Sequence, residues 1–416
     1  MSEIVKGLRV VEVSAFIAAP YAGLSLAQMG ADVIRIDPVG GGLDYGRWPV
    51  TEDGVSLYWA GLNKGKRSIM LNVRTDEGRE LAHALMTASD PDRGQSGGHP
   101  NGGIVITNLP ARGWLDYETL KAKRDDLIML AITGNRDGSV ALDYTVNAAA
   151  GFPSVTGPAD YSGPVNHVMP VWDIIAGMSA ANGILAADRH RAASGEGQLI
   201  RLALSDTAFS TLSHLGYVAE VQINGDERPA MGNHVYGTFG CDFETGDNRR
   251  VMITAFTPRH WSALIDATDI GERIAKLEQA LEVGLGREED RFEARAAIAA
   301  ILKPWFLART MDEIRTALDA VGACWGPYQT FAQAVHEDPR VSTDNPMFQM
   351  VDQPGVGPYL ASGEMLDFGA LPRGPVKPAP RLGENTDEVL ASVLGLSGGE
   401  IGRLHDQKVI SGSLDE

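Results

Sequence analysis

The chain has 416 residues, of which 44% are hydrophobic and 22% are charged, the composition of an ordinary globular protein long enough for two domains. Its formal net charge of −18 argues against nucleic acid and anionic membranes as partners, because binding their phosphates requires a basic surface. Two cysteines, Cys241 and Cys324, are too few for a disulfide scaffold and lack the spacing of metal ligands.

The first forty residues predict a β-α-β unit of a parallel sheet. Residues 8–13 and 31–37 read as strands, and residues 20–29 predict a helix with a proline near its first turn. A dinucleotide site with Asp37 on a ribose is excluded, because the turn at 14–20 lacks the glycines that let a backbone approach a pyrophosphate. Since the N-terminus has no secretory signal and no apolar run is long enough to span a membrane, we expect a cytoplasmic protein.

A basic segment at residues 63–68 allows two interpretations. Lys64, Lys66 and Arg67 form either a solvated charge run or, because aromatic residues precede them, a seat for an adenine ring and a phosphate group. The residues alone leave both open.

The segment from residue 76 to residue 133 predicts a helix, a loop and two strands. Residues 76–86 predict the helix, whereas the polar, glycine-rich run at 90–103 predicts a loop or insertion without chemistry. Buried strands are expected at 103–108 and 127–133. Strand ends face the ligand crevice of an open α/β sheet, so the residues from Asn108 onwards are candidates for ligand contacts.

Asp173 is the carboxylate on which the functional prediction depends. After Pro170, small and aliphatic residues recur at helical spacing, which predicts a helix with Asp173 in or just before its first turn. There, unpaired backbone N–H groups and the helix dipole favour an ionised carboxylate and can stabilise an oxyanion. A structural helix cap and a nucleophile are both compatible with this position. Small residues on the same helix predict close approach of another backbone; they are Ala176, Gly177, Ala180, Ala181 and Gly183.

The middle of the chain predicts a second, inserted α+β unit. A strand at 198–204 and a helix at 205–220 precede a polar linker. A hairpin at 242–254 follows, together with helices at 258–268, 290–306 and 310–321.

Three motifs around Asp173 carry a resemblance to a known family. They are Trp-Asp-Ile-Ile-Ala-Gly from residue 172, Ala-Ala-Asp-Arg-His-Arg from residue 186 and Ser-Gly-Glu-Gly-Gln from residue 194. Together they resemble the signature of the class III CoA-transferases, of the formyl-CoA and carnitine-CoA transferase type. In that family the matching aspartate forms covalent bonds with the acyl group and with CoA during the reaction. The resemblance therefore implies that Asp173 is the catalytic nucleophile.

The resemblance also implies binding residues. Asn-Lys-Gly-Lys-Arg-Ser from residue 63, followed by Ile-Met-Leu-Asn-Val-Arg, is a family landmark. The implied CoA contacts are Ile17, Ala18, Leu71, Asn72, Val73, Arg74, Asn108, Leu109, Pro110 and Arg112. Weaker candidates for acyl-group contacts are Arg47, Trp48, Gly232 and Asn233. Many members carry a glutamine or similar polar residue where this chain has Ile17, and the loop at 232–240 lacks the family's consecutive glycines.

Acyl-CoA racemases of the wider superfamily pair the aspartate with a histidine, because moving a proton between two faces needs a second base. That histidine stands immediately before an aspartate, where this chain has Leu142. His167 is either a substitute or a structural residue. The sequence therefore favours transfer over racemisation.

The resemblance extends over nearly the whole chain and implies its architecture. We expect a large, Rossmann-like α/β domain with an open parallel sheet, built from residues 1–220 and 331–416. Residues 221–330 are expected to form the smaller inserted α+β domain. The family fold further implies an interlocked homodimer.

Four stretches narrow the resemblance to members that move CoA between the two carboxyls of one mesaconate (2-methylfumarate) in the 3-hydroxypropionate cycle of carbon fixation. They are residues 43–51, 59–68, 107–115 and 342–348. We expect no metal and no cofactor beyond the CoA of the substrate. An intermolecular transferase using succinyl-CoA and a non-catalytic acyl-CoA-binding protein are the alternatives.

The expected chemistry requires no general base. An aspartate with an ordinary pKa of about 3.9 is ionised at neutral pH and can attack a thioester directly. Backbone N–H groups near residues 17–18 and in the first turn after Asp173 are the expected oxyanion donors.

Overall fold

The computed structural model describes residues 1–89 and 102–413, so most of the loop predicted at 90–103 lies outside the described residues. The chain forms two compact units. The first comprises residues 1–150, 167–225 and 339–416, and the second comprises residues 151–166 and 226–338. Residues 151–166 group with the second unit, whereas the sequence-based boundaries placed them in the large domain.

A seven-stranded sheet organises the described part of the first unit, in the order β12-β3-β2-β1-β4-β5-β6. Its strands are β1 Arg9–Val13, β2 Asp32–Asp37, β3 Arg67–Leu71, β4 Ile104–Thr107, β5 Ile128–Thr133, β6 Gln198–Ala203 and β12 Ile410–Ser411. The pairings from β3 across to β6 are parallel, whereas β12 pairs antiparallel with β3. Nearly continuous Val, Ile and Leu runs suit strands with both faces covered, and β4 is buried throughout. The predicted α/β class and the strands at 8–13, 31–37, 103–108, 127–133 and 198–204 are confirmed.

Helices cover this sheet, and a two-stranded hairpin of β10 Phe348–Gln353 and β11 Gly357–Ser362 accompanies it. The helices are α1 Ala18–Gln28, α2 Leu57–Leu62, α3 Asp76–Thr87, α4 Tyr117–Lys121, α5 Asp143–Ala149, α7 Val171–Ser194, α8 Leu204–His214, α9 Tyr217–Ala219, α16 Thr386–Leu394 and α17 Gly398–Asp406. The single helix predicted at 205–220 is interrupted at Gly216, whose φ of 85° is left-handed, and a π-helical turn over Glu220–Asn224 follows α9. Among the described residues, no helix combines the length and the apolar character needed to cross a membrane.

Helix α7 packs closely against α1, as its small residues predicted. A methyl group added at Gly177 would lie 2.7 Å from the carbonyl oxygen of Ala18, which leaves no room for a side chain. The N-terminal turn of α1 is therefore held against the N-terminal part of α7.

Both ends of the described chain are tied into the first unit. The N-terminal ammonium of Met1 donates to the carbonyl of Gly374 at 2.6 Å. The amide of Ser68, on β3, donates to the side chain of Asn385 at 3.0 Å. The C-terminal segment thus contributes both an edge strand and its supporting helices.

The second unit has its own sheet and core. Its strands, in the order β7-β8-β9, are β7 Phe239–Glu244, β8 Arg250–Ala255 and β9 Cys324–Pro327. Its helices are α6 Phe152–Val155, α10 Pro258–Thr268, α11 Gly271–Leu281, α12 Glu288–Glu293, α13 Arg295–Leu307, α14 Met311–Val321 and α15 Phe331–Glu337. Phe239, Trp261 and Phe306 are buried in its core. The predicted hairpin is present, but the helix predicted at 290–306 is divided at Ala294, and α11 was not predicted.

Candidate active site

The candidate site lies at the point where the strand order of the large sheet reverses. Strand β1 pairs with β2 on one side and with β4 on the other. The chain continues from β1 to β2 and β3 toward one edge of the sheet, and from β4 to β5 and β6 toward the other edge. Open α/β sheets bind their ligands in the crevice at this point, beyond the carboxyl ends of the strands. Here the turn at residues 14–17 follows β1, and Asn108 follows β4.

Asn108 clamps the turn that follows β1. Its side-chain oxygen accepts from the amide of Ala15 at 2.9 Å, and its Nδ2 donates to the carbonyl of Ala15 at 2.6 Å. The next residue, Phe16, has a φ of 63°, a left-handed conformation that is uncommon for a bulky side chain. Sequence reasoning proposed Asn108 as a CoA contact, and the structure adds that it fixes the backbone of this turn.

The clamped turn leads directly into α1. Among the described residues, the amides of Ile17, Ala18 and Ala19 have no hydrogen-bond acceptor, as is usual for a helix N-terminus. They are therefore available to a ligand atom.

A cavity of about 380 Å³ brings the turn after β1 together with Asp173. Its lining residues come from the ends of β1, β4 and β5 and from the first turns of α1, α5 and α7. They are Ala15, Phe16, Ile17, Ala18, Leu43, Arg47, Tyr58, Asn108, Leu109, Ile132, Thr133, Gly134, Ala141, Leu142, Asp143, Tyr144, Pro170, Asp173 and Leu204. Most of this lining is apolar, so charges that develop inside are poorly screened.

Asp173 is the third residue of α7, as predicted, but the amides of that turn are already occupied. The amides of Trp172 and Asp173 donate to the same oxygen, Oδ2 of Asp143, at 2.7 and 3.0 Å. The amide of Ile174 donates to the carbonyl of Pro170 within the helix. The expected oxyanion donors in the first turn after Asp173 are therefore wrong, and those at residues 17–18 stay a prediction.

The expectation that Asp173 has an ordinary pKa is also wrong. Burial and the negative charge of Asp143 together raise the pKa of Asp173 to about 7, and Arg47 acts in the opposite direction. Since Asp143 occupies the amides that would favour a negative charge, the N-terminus of α7 does not hold Asp173 ionised. Asp173 therefore changes its protonation state near neutral pH, well above the range of an ordinary aspartate.

Arg47 and Tyr58 line the cavity together with Asp173 and supply polar groups. The guanidinium of Arg47 stacks over the rings of Phe16 and Tyr58, each 5.3 Å from the ring centroid, and it forms no salt bridge with any described carboxylate. The buried hydroxyl of Tyr58 has no hydrogen-bond partner among the described residues, and burial raises its pKa. The cavity therefore offers a free cation and a free hydroxyl donor.

A fully buried ion cluster contacts two of the segments that line the cavity. Arg35 donates to both oxygens of Asp44 at 3.0 and 3.1 Å, to Asp37, and to the carbonyl of Ser14 at 3.4 Å. Burial opposes the charge of Arg35, but the three surrounding carboxylates raise its pKa above the usual value. Because Ser14 is the first residue of the clamped turn and Asp44 precedes Arg47, this guanidinium connects two walls of the cavity.

Within the basic segment at 63–68, Lys66 belongs to this buried cluster. Lys66 contacts Glu12 at 2.9 Å inside the cluster, and burial lowers its pKa to about 8. Lys64 is buried and donates to the carbonyl of Ser362 at 2.7 Å, whereas Arg67 pairs with Asp32. Both interpretations from sequence, a solvated run and an adenine seat, are wrong for Lys66.

The predicted binding residues divide into several groups. Ile17, Ala18, Asn108, Leu109 and Arg47 line the cavity with Asp173, whereas Trp48 is 80% exposed beside it. Five others lie beyond the carboxyl ends of β3 and β4 without lining this cavity; they are Asn72, Val73, Arg74, Pro110 and Arg112. Leu71 is the last residue of β3 and is fully buried in the core, so its side chain is not available to CoA. Gly232 and Asn233 are exposed in the second unit.

Comparison with known protein families identifies the family to which the chain belongs. The family model described as CoA-transferase family III matches residues 5–386. The chain belongs to CoA-transferase family III. Its fold agrees with that of a CAIB/BAIF family protein from Brucella suis, with a TM-score of 0.75, 26% identity and coverage of 94% of this chain and all of the other.

Two curated relatives of this family III enzyme match along almost their whole length. One is a 2-methylfumaryl-CoA isomerase from Chloroflexus aurantiacus, 54% identical over 413 residues and covering 99% of each chain. The other is a succinyl-CoA:mesaconate CoA-transferase from Haloarcula marismortui, 31% identical over 405 residues and covering 92% of this chain and 94% of the relative. The predicted family is confirmed, and with it an acyl-CoA substrate.

Sequence reasoning did not assign roles to three groups of the family III site. Asp143, Tyr58 and Arg35 come from different segments. The fold brings Asp143 and Tyr58 to Asp173, whereas Arg35 lies in the buried cluster that connects two walls of the cavity. For Asp143 a signal existed, because it opens an alanine-rich helical run just as Asp173 does.

Proposed function

We propose that this protein interconverts the C1 and C4 thioesters of 2-methylfumaryl-CoA (mesaconyl-CoA) by moving CoA between the two carboxyls of one molecule. The observation that carries the proposal is Asp173, which sits on the wall of an apolar cavity facing the free cation of Arg47. The relationship to the Chloroflexus aurantiacus isomerase supports the same substrate. The proposal also includes that the reaction serves the 3-hydroxypropionate cycle, that the protein is cytoplasmic and that it forms an interlocked homodimer.

The proposed reaction begins with attack of the Asp173 carboxylate on the thioester carbonyl. The C–S bond breaks, a mixed anhydride forms, and the electron pair leaves on the CoA sulfur. The thiolate then attacks Cγ of Asp173, which gives an aspartyl-CoA thioester and free mesaconate. The other carboxylate of mesaconate repeats these two steps in reverse, and Asp173 is regenerated as a carboxylate.

The residues of the cavity have distinct proposed roles. The amides of Ile17 and Ala18 stabilise the oxyanions, because the Asn108 clamp presents them without a competing acceptor. The remaining predicted contacts beyond β3 and β4 bind CoA, and no cofactor beyond the CoA of the substrate takes part. The hydroxyl of Tyr58 donates to a carboxylate of the substrate.

Arg47 is proposed to hold the carboxylate that is not being thioesterified. An arginine that lines an apolar cavity and has no salt-bridge partner within residues 1–89 and 102–413 is suited to bind a carboxylate. Replacement by leucine is expected to lower kcat/KM by roughly 10- to 100-fold, since a hydrogen bond to a charged group is worth about 1.5–3 kcal/mol. The variant should also release free mesaconate during turnover, detected by chromatography of the reaction mixture.

Arg47→Lys is the matched control for this prediction. It keeps the charge without the two-pronged geometry, so its kcat/KM should lie between those of the wild type and Arg47→Leu. Equal kcat/KM values for Arg47→Leu and the wild type would remove Arg47 from the substrate site.

The function is tested by supplying mesaconyl-C1-CoA with no acceptor and following the C4 isomer by chromatography. Isomer should form, and isotopically labelled free mesaconate or succinate should leave the CoA esters unlabelled. Rapid incorporation of label would instead favour intermolecular transfer. The relationship to a succinyl-CoA:mesaconate CoA-transferase makes this the second candidate function.

A further inference from the structure

Asp143 is a second carboxylate at the nucleophile for which the proposed chemistry has no role. Its side chain is only 3% exposed. Oδ2 accepts from the amides of Trp172 and Asp173, whereas Oδ1 is buried without a hydrogen-bond partner among the described residues. Burial raises the pKa of Asp143, against the two amides and His167, which lower it. A buried carboxylate with one unsatisfied oxygen is costly, so a functional role would explain its presence.

Asp143 acts as a cap for α7 although it belongs to α5. The residue at the N-cap position of α7, Pro170, supplies no side-chain hydrogen bond. Asp143 bonds to the amide of the nucleophile itself, so the backbone of Asp173 is fixed relative to α5. A neutral acceptor such as asparagine or serine could fill that place, since these residues cap helices equally well.

The charge of Asp143 adds an effect that a neutral cap lacks. The charged or titratable groups that act on Asp173 are Asp143 from α5, Arg47 from the segment before α2, and Tyr58 from α2. Asp143 in turn faces His167. Of these, Asp143 repels the ionised form of Asp173 and Arg47 attracts it. Burial also disfavours the ionised form of Asp173.

We infer that Asp143 is a positioning residue that fixes the backbone of Asp173 and raises the free energy of its ionised form, which favours conversion of Asp173 into a neutral acyl derivative. The inference rests on the proposed function, in which Asp173 is the nucleophile. In the mixed anhydride and in the aspartyl thioester, the negative charge has moved from Asp173 to the CoA sulfur or to mesaconate. The repulsion by Asp143 is therefore present before each attack by Asp173 and absent once its ester has formed.

The test is the pH dependence of adduct formation in single turnovers. Mesaconyl-C1-CoA is mixed with the wild type or with Asp143→Asn, and the mass increase on Asp173 is followed by mass spectrometry from pH 4.5 to pH 9. The raised pKa of Asp173 means that the reactive carboxylate is lost as pH falls through about 7. In Asp143→Asn, which keeps an acceptor for both amides, this acid limb should move down by at least about one pH unit.

Two further variants complete the test. Asp143→Ser also removes the charge while keeping a hydroxyl acceptor, and it replaces Asp143→Asn if that protein does not fold. Asp387→Asn is the matched control. Asp387 is an exposed carboxylate on α16 that pairs with His405 on α17 and does not line the cavity. Its acid limb should coincide with that of the wild type.

The outcomes separate this inference from the proposed function. Absence of any adduct in the wild type would remove the nucleophile and the function with it. An adduct that forms with the same acid limb in the wild type, Asp143→Asn and Asp143→Ser would leave the function standing and overturn the role of Asp143. A lower acid limb in both variants, with Asp387→Asn unchanged, supports it.

Discussion

Replacement of Asp173 by asparagine is expected to reduce turnover by roughly four orders of magnitude or more, the usual consequence of removing a covalent nucleophile. Asparagine has the same shape and remains in the first turn of α7, so CoA ester binding should persist. Turnover is measured by chromatographic separation of the C1 and C4 esters. Native turnover in freshly prepared Asp173→Asn would contradict the covalent mechanism.

Deamidation is the main control for this variant, because a buried asparagine that reverts to aspartate restores the nucleophile. Activity that increases with storage, together with a mass increase on the peptide carrying residue 173, would identify reversion. Trapping the wild type with hydroxylamine or borohydride during turnover gives an independent readout, since a hydroxamate or an alcohol at residue 173 forms only from an acylated Asp173. The substrate thioester also reacts but leaves the protein unmodified. A non-catalytic acyl-CoA-binding protein would yield no such product.

The same substitution should stabilise the fold at alkaline pH. Asp173 has a folded-state pKa of about 7, above its unfolded value, so its ionisation costs stability as pH rises from about 4 to 7. Asp173→Asn removes that cost, which after allowance for partial exposure amounts to roughly 2–4 kcal/mol. Chemical denaturation at pH 8 should show the gain, and at pH 4 the two proteins should unfold alike.

Loss of Arg35 is expected to have the largest effect on stability. Arg35→Ala would leave Glu12, Asp37 and Asp44 buried around an empty space, and breaking a buried ion network in this way costs about 3–5 kcal/mol. The decrease in the free energy of unfolding is measured by denaturant titration. Turnover should fall as well, since Arg35 connects the turn after β1 with the segment that carries Arg47.

Lys6→Ala provides the contrast for Arg35→Ala. Lys6 forms a salt bridge with Glu3 in which both side chains are about two-thirds exposed, and such pairs contribute between 0 and about 1 kcal/mol. If Arg35→Ala and Lys6→Ala lowered the free energy of unfolding equally, the buried cluster would not be a stabilising element.

The sequence predicted most of the large sheet because its signals are local. Nearly continuous apolar runs marked the strands, and the small residues around Gly177 marked the close contact of α7 with α1. Helix boundaries in the second unit were less accurate, because Ala294 interrupts a run that remains periodic throughout.

The electrostatics of the site could not be predicted in the same way. The burial of Asp173 and its proximity to Asp143, 30 residues earlier in the chain, depend on how α5 and α7 meet. Likewise, Lys66 looks like a surface residue in the sequence, and only the arrangement of β1, β2 and β3 as neighbours in the sheet places it against Glu12. An ordinary aspartate pKa was therefore the natural expectation and an incorrect one.

The contact at Gly177 limits how this enzyme can be remodelled. Because α1 and α7 touch through backbone atoms, the amides of Ile17 and Ala18 and the nucleophile cannot be moved apart by exchanging side chains. Leu43 also lines the cavity and is 82% exposed, so its side of the cavity has room for bulkier acyl groups. Libraries for altered acyl selectivity should therefore vary residues 43–48 and leave the helix pair untouched.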